Sequence, residues 1–342
     1  MKEQRKVLNI GLIIAGAIGL IGLILGTFLD KQITSAMGNS NSVFGILFTL
    51  LTPVLSLAVG SAASAMLFFM PRIEHKSWNI GLRVLAAIAF AGFTFFSIKE
   101  GKEYVNFPIM QPEKTTYVVL AITLVATIDL AIILFSKVLM KHVDTKRIIP
   151  TVLIIFLIIV AWVFVSEVIK HLASRPRPRI VMDESLGIPF RNWYEFRPFQ
   201  CLKEPYKDCK SFVSGHAFIA ACTIGALPLL LSLGKNSSIK KTIIGLAVGT
   251  AFTIIVCFSR IVAYAHYMSD VFGGLFAAFA SQLVILNVAY KIHEKHQKKH
   301  LKIVKIVGIS RLFLNFCPIF LSCLFCFIFT RNIVMLVFNI IR

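Results

Sequence analysis

Between Lys170 and Asp270 the chain places three short polar clusters, each at the edge of a long apolar run. They are Lys170 with Arg177-Pro178, then Ser214-Gly215-His216, then Ser259-Arg260 followed by His266 and Asp270. These residue types can hold a phosphate and break a P–O bond. Arginine offers a planar fork to phosphate oxygens and lysine a compact point charge, so Lys170, Arg177 and Arg260 are candidate phosphate-binding residues. Ser214 and Gly215, at the start of a helix, add a hydroxyl, unpaired main-chain N–H groups and room for an anion to approach. His266 and Asp270 lie four residues apart, which puts them on one face of a helix. A carboxylate bonded to one imidazole nitrogen fixes the tautomer and leaves the other nitrogen to attack. His266 is therefore the candidate nucleophile on phosphorus, with Asp270 as its orienting acid. His216 is the candidate acid for the leaving oxygen and the base for water afterwards. Two histidines and one acid among several cations make a poor metal site, so the expected chemistry uses no metal and no cofactor.

The elements that position these clusters have to be membrane helices. The chain is 57% hydrophobic and 15% charged, against roughly 25% charged in a soluble domain. A hydrocarbon core about 30 Å thick takes some 20 residues per crossing. Apolar runs at 7–28, 43–70, 80–98, 117–136, 149–169, 216–234, 242–258 and 271–292 predict eight crossings, and 312–330 a ninth, in an all-α polytopic fold. The first run exceeds the ~7–15 apolar residues of a cleavable leader and reads as a retained helix, with an outer polar loop from 30 to 42. A net charge of +20 raises the question of nucleic acid, since basic surfaces bind phosphate backbones. The distribution answers against it. Five inferred inner segments carry 19 Lys and Arg, whereas three short outer loops carry 5, the cytoplasmic bias of membrane proteins. That alternation places all three clusters on the outer side.

Neighbouring residues carry lesser expectations. Prolines 176 and 178 break the helix after Lys170 and let Arg177 turn back toward it. Arg175 and Arg179 read as headgroup anchors, so Arg175→Ala is expected to leave turnover almost unchanged. Glu167, three residues before Lys170, has the spacing to orient it. Asp129, mid-helix, is assigned a structural hydrogen bond. Phe190, Trp193, Tyr194, Phe196 and Phe199 crowd the long 170–210 loop, as a lid over an acyl chain or as interface anchors. Cys201 and Cys209 share that loop, where an oxidising compartment favours a disulfide. Cys222, Cys257, Cys317, Cys323 and Cys326 sit in apolar runs as small hydrophobes.

Lys170-x6-Arg177-Pro178, Ser214-Gly215-His216 and Ser259-Arg260-x5-His266-x3-Asp270 together resemble the signature of the type 2 phosphatidic acid phosphatase family. Its three parts are Lys-x6-Arg-Pro, Pro-Ser-Gly-His and Ser-Arg-x5-His-x3-Asp. The first and third match in full; the second carries Val213 where proline is usual, which removes no chemical group. The resemblance implies metal-independent dephosphorylation through a phosphohistidine and a six-helix core, here residues 80–292. Residues 1–79 then form two additional N-terminal helices, and 293–342 a basic cytoplasmic loop with a C-terminal helix. It also implies a lipid phosphate as partner, drawn from phosphatidic acid, phosphatidylglycerophosphate, polyprenyl diphosphate or lipid A, amid membrane lipids. The loop cysteines before Ser-Phe-Val-Ser-Gly-His are loosely similar to those of bacterial lipid A phosphatases, consistent with the outer face of a bacterial cytoplasmic membrane. A phosphotransferase using the same intermediate, and a non-catalytic phospholipid binder or transporter, are the alternatives. Phosphate release from a lipid phosphate is expected to persist in excess chelator; strong inhibition would sink the metal-free mechanism.

Overall fold

The computed structural model describes residues 2–71, 76–101, 114–202 and 209–300. The expected ninth helix at 312–330, with its three cysteines, lies outside the described residues, as do most of the 99–116 connection and the loop before that helix. Eight long helices account for the rest: α1 (Lys2–Met37), α2 (Val43–Phe68), α3 (Lys76–Gly101), α4 (Lys114–Leu139), α5 (Thr145–Ala173), α6 (Gly215–Leu231), α7 (Ile239–Val262) and α8 (Met268–His300). Seven of them are long and apolar enough to cross a membrane, and α6 is a shorter apolar helix of 17 residues. No strand occurs among the described residues. The protein is an all-α polytopic membrane protein.

Local chemistry sets the helix ends. Side chains of Ser42, Asp144, Ser214 and Ser238 accept main-chain N–H groups of the first turns of α2, α5, α6 and α7, which relieves donors that have no intrahelical acceptor. α5 stops where Ser174 turns left-handed (φ 42°) and Pro176 and Pro178 follow. One end differs from expectation. α1 continues past residue 28 to Met37, so Asp30 is helical and 1% exposed where an outer polar loop was expected. Its charge is not solvated but paired, as described below.

α6 is buried along most of its length and packs on α7, α8, α5 and α2, while α1 runs along α8. Phe156, Ile158, Phe218, Ile219 and Phe279 fill the centre. The outward faces carry exposed Ile21, Phe28, Val84, Phe95 and Phe135, as a lipid-facing surface requires. Asp129 accepts from Thr94 Oγ1 at 2.5 Å between α3 and α4, which satisfies a carboxylate that would be costly unpaired in hydrocarbon. The α1–α8 contact depends on small residues. A Cβ on Gly26 would stand 2.6 Å from the main-chain nitrogen of Ser269, so only glycine lets the two backbones meet there. Gly26→Ala is expected to destabilise the detergent-solubilised protein by about 1–3 kcal/mol, the range for overpacking. Gly81→Ala, whose methyl meets open space, serves as the control in the same thermal-denaturation assay.

Candidate active site

The last turn of α5, the first of α6, the last of α7 and the first of α8 converge at one end of the bundle, each bringing one part of the sequence clusters. The Lys170 ammonium lies 2.8 Å from Glu167 Oε1, the i,i+3 pairing expected from their spacing. It also stands 3.1 Å from where a Cβ on Gly215 would be, so the absence of a side chain there seats the lysine against the start of α6. Trp162 Nε1 donates to Gly215 O at 2.9 Å and fixes that turn to α5. Arg177 follows in extended geometry as the N-cap of a one-turn helix, Pro178–Val181. Its Nε is buried with no hydrogen-bond partner among the described residues. A donor left in that state calls for an acceptor.

His266 is 2% exposed. Its Nδ1 lies 2.8 Å from the Ser211 carbonyl oxygen. A carbonyl only accepts, so Nδ1 carries the hydrogen and Nε2 keeps its lone pair. Burial, then the charges of Arg177 and Arg260, the neighbouring His216 and Lys170, hold His266 well below the usual imidazole range. A neutral ring with one unprotonated nitrogen is the nucleophilic form.

The orienting contact differs from the sequence expectation. Asp270 Oδ2 is 3.9 Å from His266 Nδ1, too far for a hydrogen bond. The Ser211 carbonyl orients the ring instead, and Asp270 holds Ser211: Oδ2 accepts from Ser211 Oγ at 2.5 Å and from Tyr267 N at 2.8 Å. The physical reason is that α8 begins only at Met268, so His266 precedes the helix that carries Asp270 and the two do not share a helical face.

A second correction concerns Arg175. It is 1% exposed and is no headgroup anchor. The left-handed turn at Ser174 sends the chain inward, beneath the start of α8. There Arg175 Nη1 donates to Asp270 Oδ1 at 2.6 Å and Ser269 Oγ at 2.7 Å, Nη2 to Asp30 Oδ2 at 2.8 Å, and Nε to Arg191 O at 2.8 Å. Two carboxylates compensate the buried charge, which the sequence clusters alone do not announce. The signal lies in α1: Asp30 is the one acidic residue between Glu3 and Glu74.

Across the site, α2 supplies Thr49. Its carbonyl oxygen faces His216 Nε2 at 3.3 Å, and its hydroxyl accepts from Arg260 Nη1. Ser214 caps α6 through Oγ to the Ala217 N–H, and its own N–H donates to Asp270 O at 2.9 Å. Val213 and Phe212, joined by a cis peptide, pack with Ala173 and Leu23. Thr49, Ser211 and Ser269 escape the sequence reading because hydroxyl residues carry no spacing rule of their own.

The long loop is held by main-chain bonds to the end of α5: Phe199 N–H to His171 O at 2.8 Å, Arg197 N–H to Ala173 O at 3.3 Å and Ser211 N–H to Arg175 O at 2.9 Å. Cys201 is buried with a free thiol, its N–H on Ser174 Oγ at 3.1 Å. The expected disulfide to the buried Cys209 is therefore absent, and hydrogen bonds do the tethering. Of the loop aromatics, Trp193 stacks on Phe212 and donates to Thr27 Oγ1 at 2.9 Å, and Phe190 lies over Arg175. Tyr194, Phe196 and Phe199 are exposed.

The fold and these groups define a helical membrane protein with a cationic, histidine-bearing site at one end of its bundle. Residues 151–294 match the model of the PAP2 superfamily. The matched segment spans most of α5, all of α6 and α7 and most of α8, and it holds all three clusters. No curated protein and no solved structure gives a significant match. Arg175→Ala leaves Asp30 and Asp270 buried without their cation, a loss of roughly 3–5 kcal/mol. The variant is expected to lose both thermal stability in detergent and turnover, and wild-type behaviour in both would refute the pairing.

Proposed function

We propose that the protein is a metal-independent lipid phosphate phosphatase working through a phosphohistidine. The observation that carries this reading is the pinned tautomer of His266. Nδ1 is occupied by the Ser211 carbonyl, so the lone pair sits on Nε2, beside three cations. In the first step Nε2 attacks phosphorus, the P–O bond to the lipid breaks, and His216 gives the leaving oxygen its proton. His216 Nε2 faces the Thr49 carbonyl, which leaves Nδ1 as its proton-exchanging nitrogen. In the second step His216 takes a proton from water, hydroxide attacks phosphorus, and the N–P bond breaks to release inorganic phosphate. Lys170, Arg177 and Arg260, with the N–H groups of Gly215 and His216 and the Ser214 hydroxyl, hold the phosphoryl oxygens throughout. Charge stabilisation of this kind is the largest single contribution to phosphoryl transfer.

The substrate class is a lipid phosphate monoester or diphosphate, of the phosphatidic acid, phosphatidylglycerophosphate, polyprenyl diphosphate or lipid A type. The bundle's lipid-facing helices support it, since they bring a bilayer lipid's headgroup to the level of the site. The basic excess of the opposite loops supports a site on the outer face, which in a bacterial cytoplasmic membrane is the periplasmic side. In this reading residues 80–292 are the six-helix core and 1–79 and 293–342 its additions.

Purified protein and its His266→Ala variant, incubated in chelator with a panel of these lipids, are expected to differ completely: phosphate from the wild type, none from the variant. An active variant would overturn the nucleophile assignment. Labelled histidine without phosphate release would point to transfer onto an acceptor alcohol. Because His266 is depressed below 6.5, its neutral form survives to lower pH. The acid limb of kcat/KM is expected below pH 6.5, with activity lost as pH falls through that lower value.

A further inference from the structure

The helix α1 lies outside the matched segment 151–294, yet it reaches the back of the site. Asp30, 1% exposed, accepts from Arg175 Nη2 at 2.8 Å, from Ser269 N at 2.8 Å and from Ser269 Oγ at 2.5 Å. Asp270 accepts from Arg175 Nη1, Ser211 Oγ and Tyr267 N. Each carboxylate thus accepts three hydrogen bonds, and Arg175 donates to both. One guanidinium between two carboxylates gives the group a formal charge of −1, and none of the three side chains is more than 1% exposed.

We infer that Asp30 is a positioning residue for phosphoryl transfer, sharing Arg175 with Asp270 so that the buried triad keeps a negative charge beside His266. This rests on the phosphohistidine reading above. When Nε2 bonds to phosphorus and Nδ1 keeps its hydrogen, the ring becomes cationic. Lys170, Arg177 and Arg260 oppose that charge from α5, the turn after it and α7, and a protonated His216 would oppose it from α6. The carboxylate of Asp270, 3.9 Å away, is the favourable partner. With Arg175 committed to Asp270 alone, the pair would be neutral. Asp30 draws part of the guanidinium away and restores the field, and through Ser269 it fixes the start of α8 two residues past Tyr267.

The test compares Asp30→Asn, Asp30→Glu and Ser269→Ala with wild type in phosphate release from a lipid phosphate in detergent, across pH. Asp30→Asn is expected to lower kcat at least about tenfold with KM within a factor of about three. Its acid limb of kcat/KM should move to lower pH, because a ring that has lost a nearby negative charge is harder to protonate. Asp30→Glu should recover part of kcat and keep the limb in place. Ser269→Ala removes hydrogen bonds but no charge, so it too should keep the limb where it is. A folded Asp30→Asn with wild-type kcat and limb overturns the inference. So does a limb that moves equally in Ser269→Ala, which would mark a structural role. Failure of both Asp30 variants to accumulate as folded protein would assign Asp30 to folding, again overturning it. Absence of release from the wild type would instead remove the phosphatase reading and the positioning role with it, an outcome distinct from an active wild type with unaffected variants.

Discussion

A guanidinium with no access to water organises this end of the molecule. Arg175 sits between two carboxylates, a serine hydroxyl and a main-chain carbonyl, so the end of α5, the start of α8, α1 and the long loop meet at one side chain. A buried charge tolerates little freedom: each partner removed leaves its counterpart desolvated and unpaired. That intolerance is what makes the assembly specific. Ser211, held by Asp270, presents its carbonyl to His266, and the same acid accepts the Tyr267 N–H. The ring's orientation is thus set through several bonds anchored on Arg175.

The chemistry was more legible in the sequence than the scaffold beneath it. Lys170, Arg177, His216, Arg260 and His266 stand in fixed spacings at the edges of apolar runs, and such edges in a membrane protein are where polar side chains need a reason. The eight described helices follow from apolar run length, because the bilayer demands continuous helical hydrogen bonding; α1 and α8 run well past their apolar runs, to Met37 and His300, because a helix can continue beyond the hydrocarbon. Arg175 departs from the headgroup-anchor expectation for a physical reason. Nothing in its neighbourhood distinguishes an arginine that swims at the headgroups from one that is folded under, until Asp30, far away in sequence, supplies the compensating charge. A direct contact of Asp270 with His266 would need helical spacing across a segment that becomes helical only at Met268. The expected pairing of Cys201 with Cys209 rests on compartment alone, an argument that carries no geometry.

The site also borrows from two of the helices that precede the matched segment. Asp30 comes from α1, and Thr49 of α2 touches both Arg260 and His216. Neither can be seen by reading the three clusters, since a contact partner two hundred residues away leaves no local pattern. Their presence makes the boundary between core and addition one of sequence rather than of chemistry.

The pairing of Asp30 with Ser269 across a separation of 239 residues has a consequence for biogenesis. During synthesis α1 enters the bilayer before Arg175 is made and long before α8 exists, so its carboxylate waits at the membrane edge first for its cation and then for Ser269. A chain halted before α8 would carry Asp30, Arg175 and His266 but neither Ser269 nor Asp270, the groups that complete the buried network. The site is therefore complete only once α8 has joined the helices made before it, so its geometry is a property of the assembled bundle and not of any earlier length of chain.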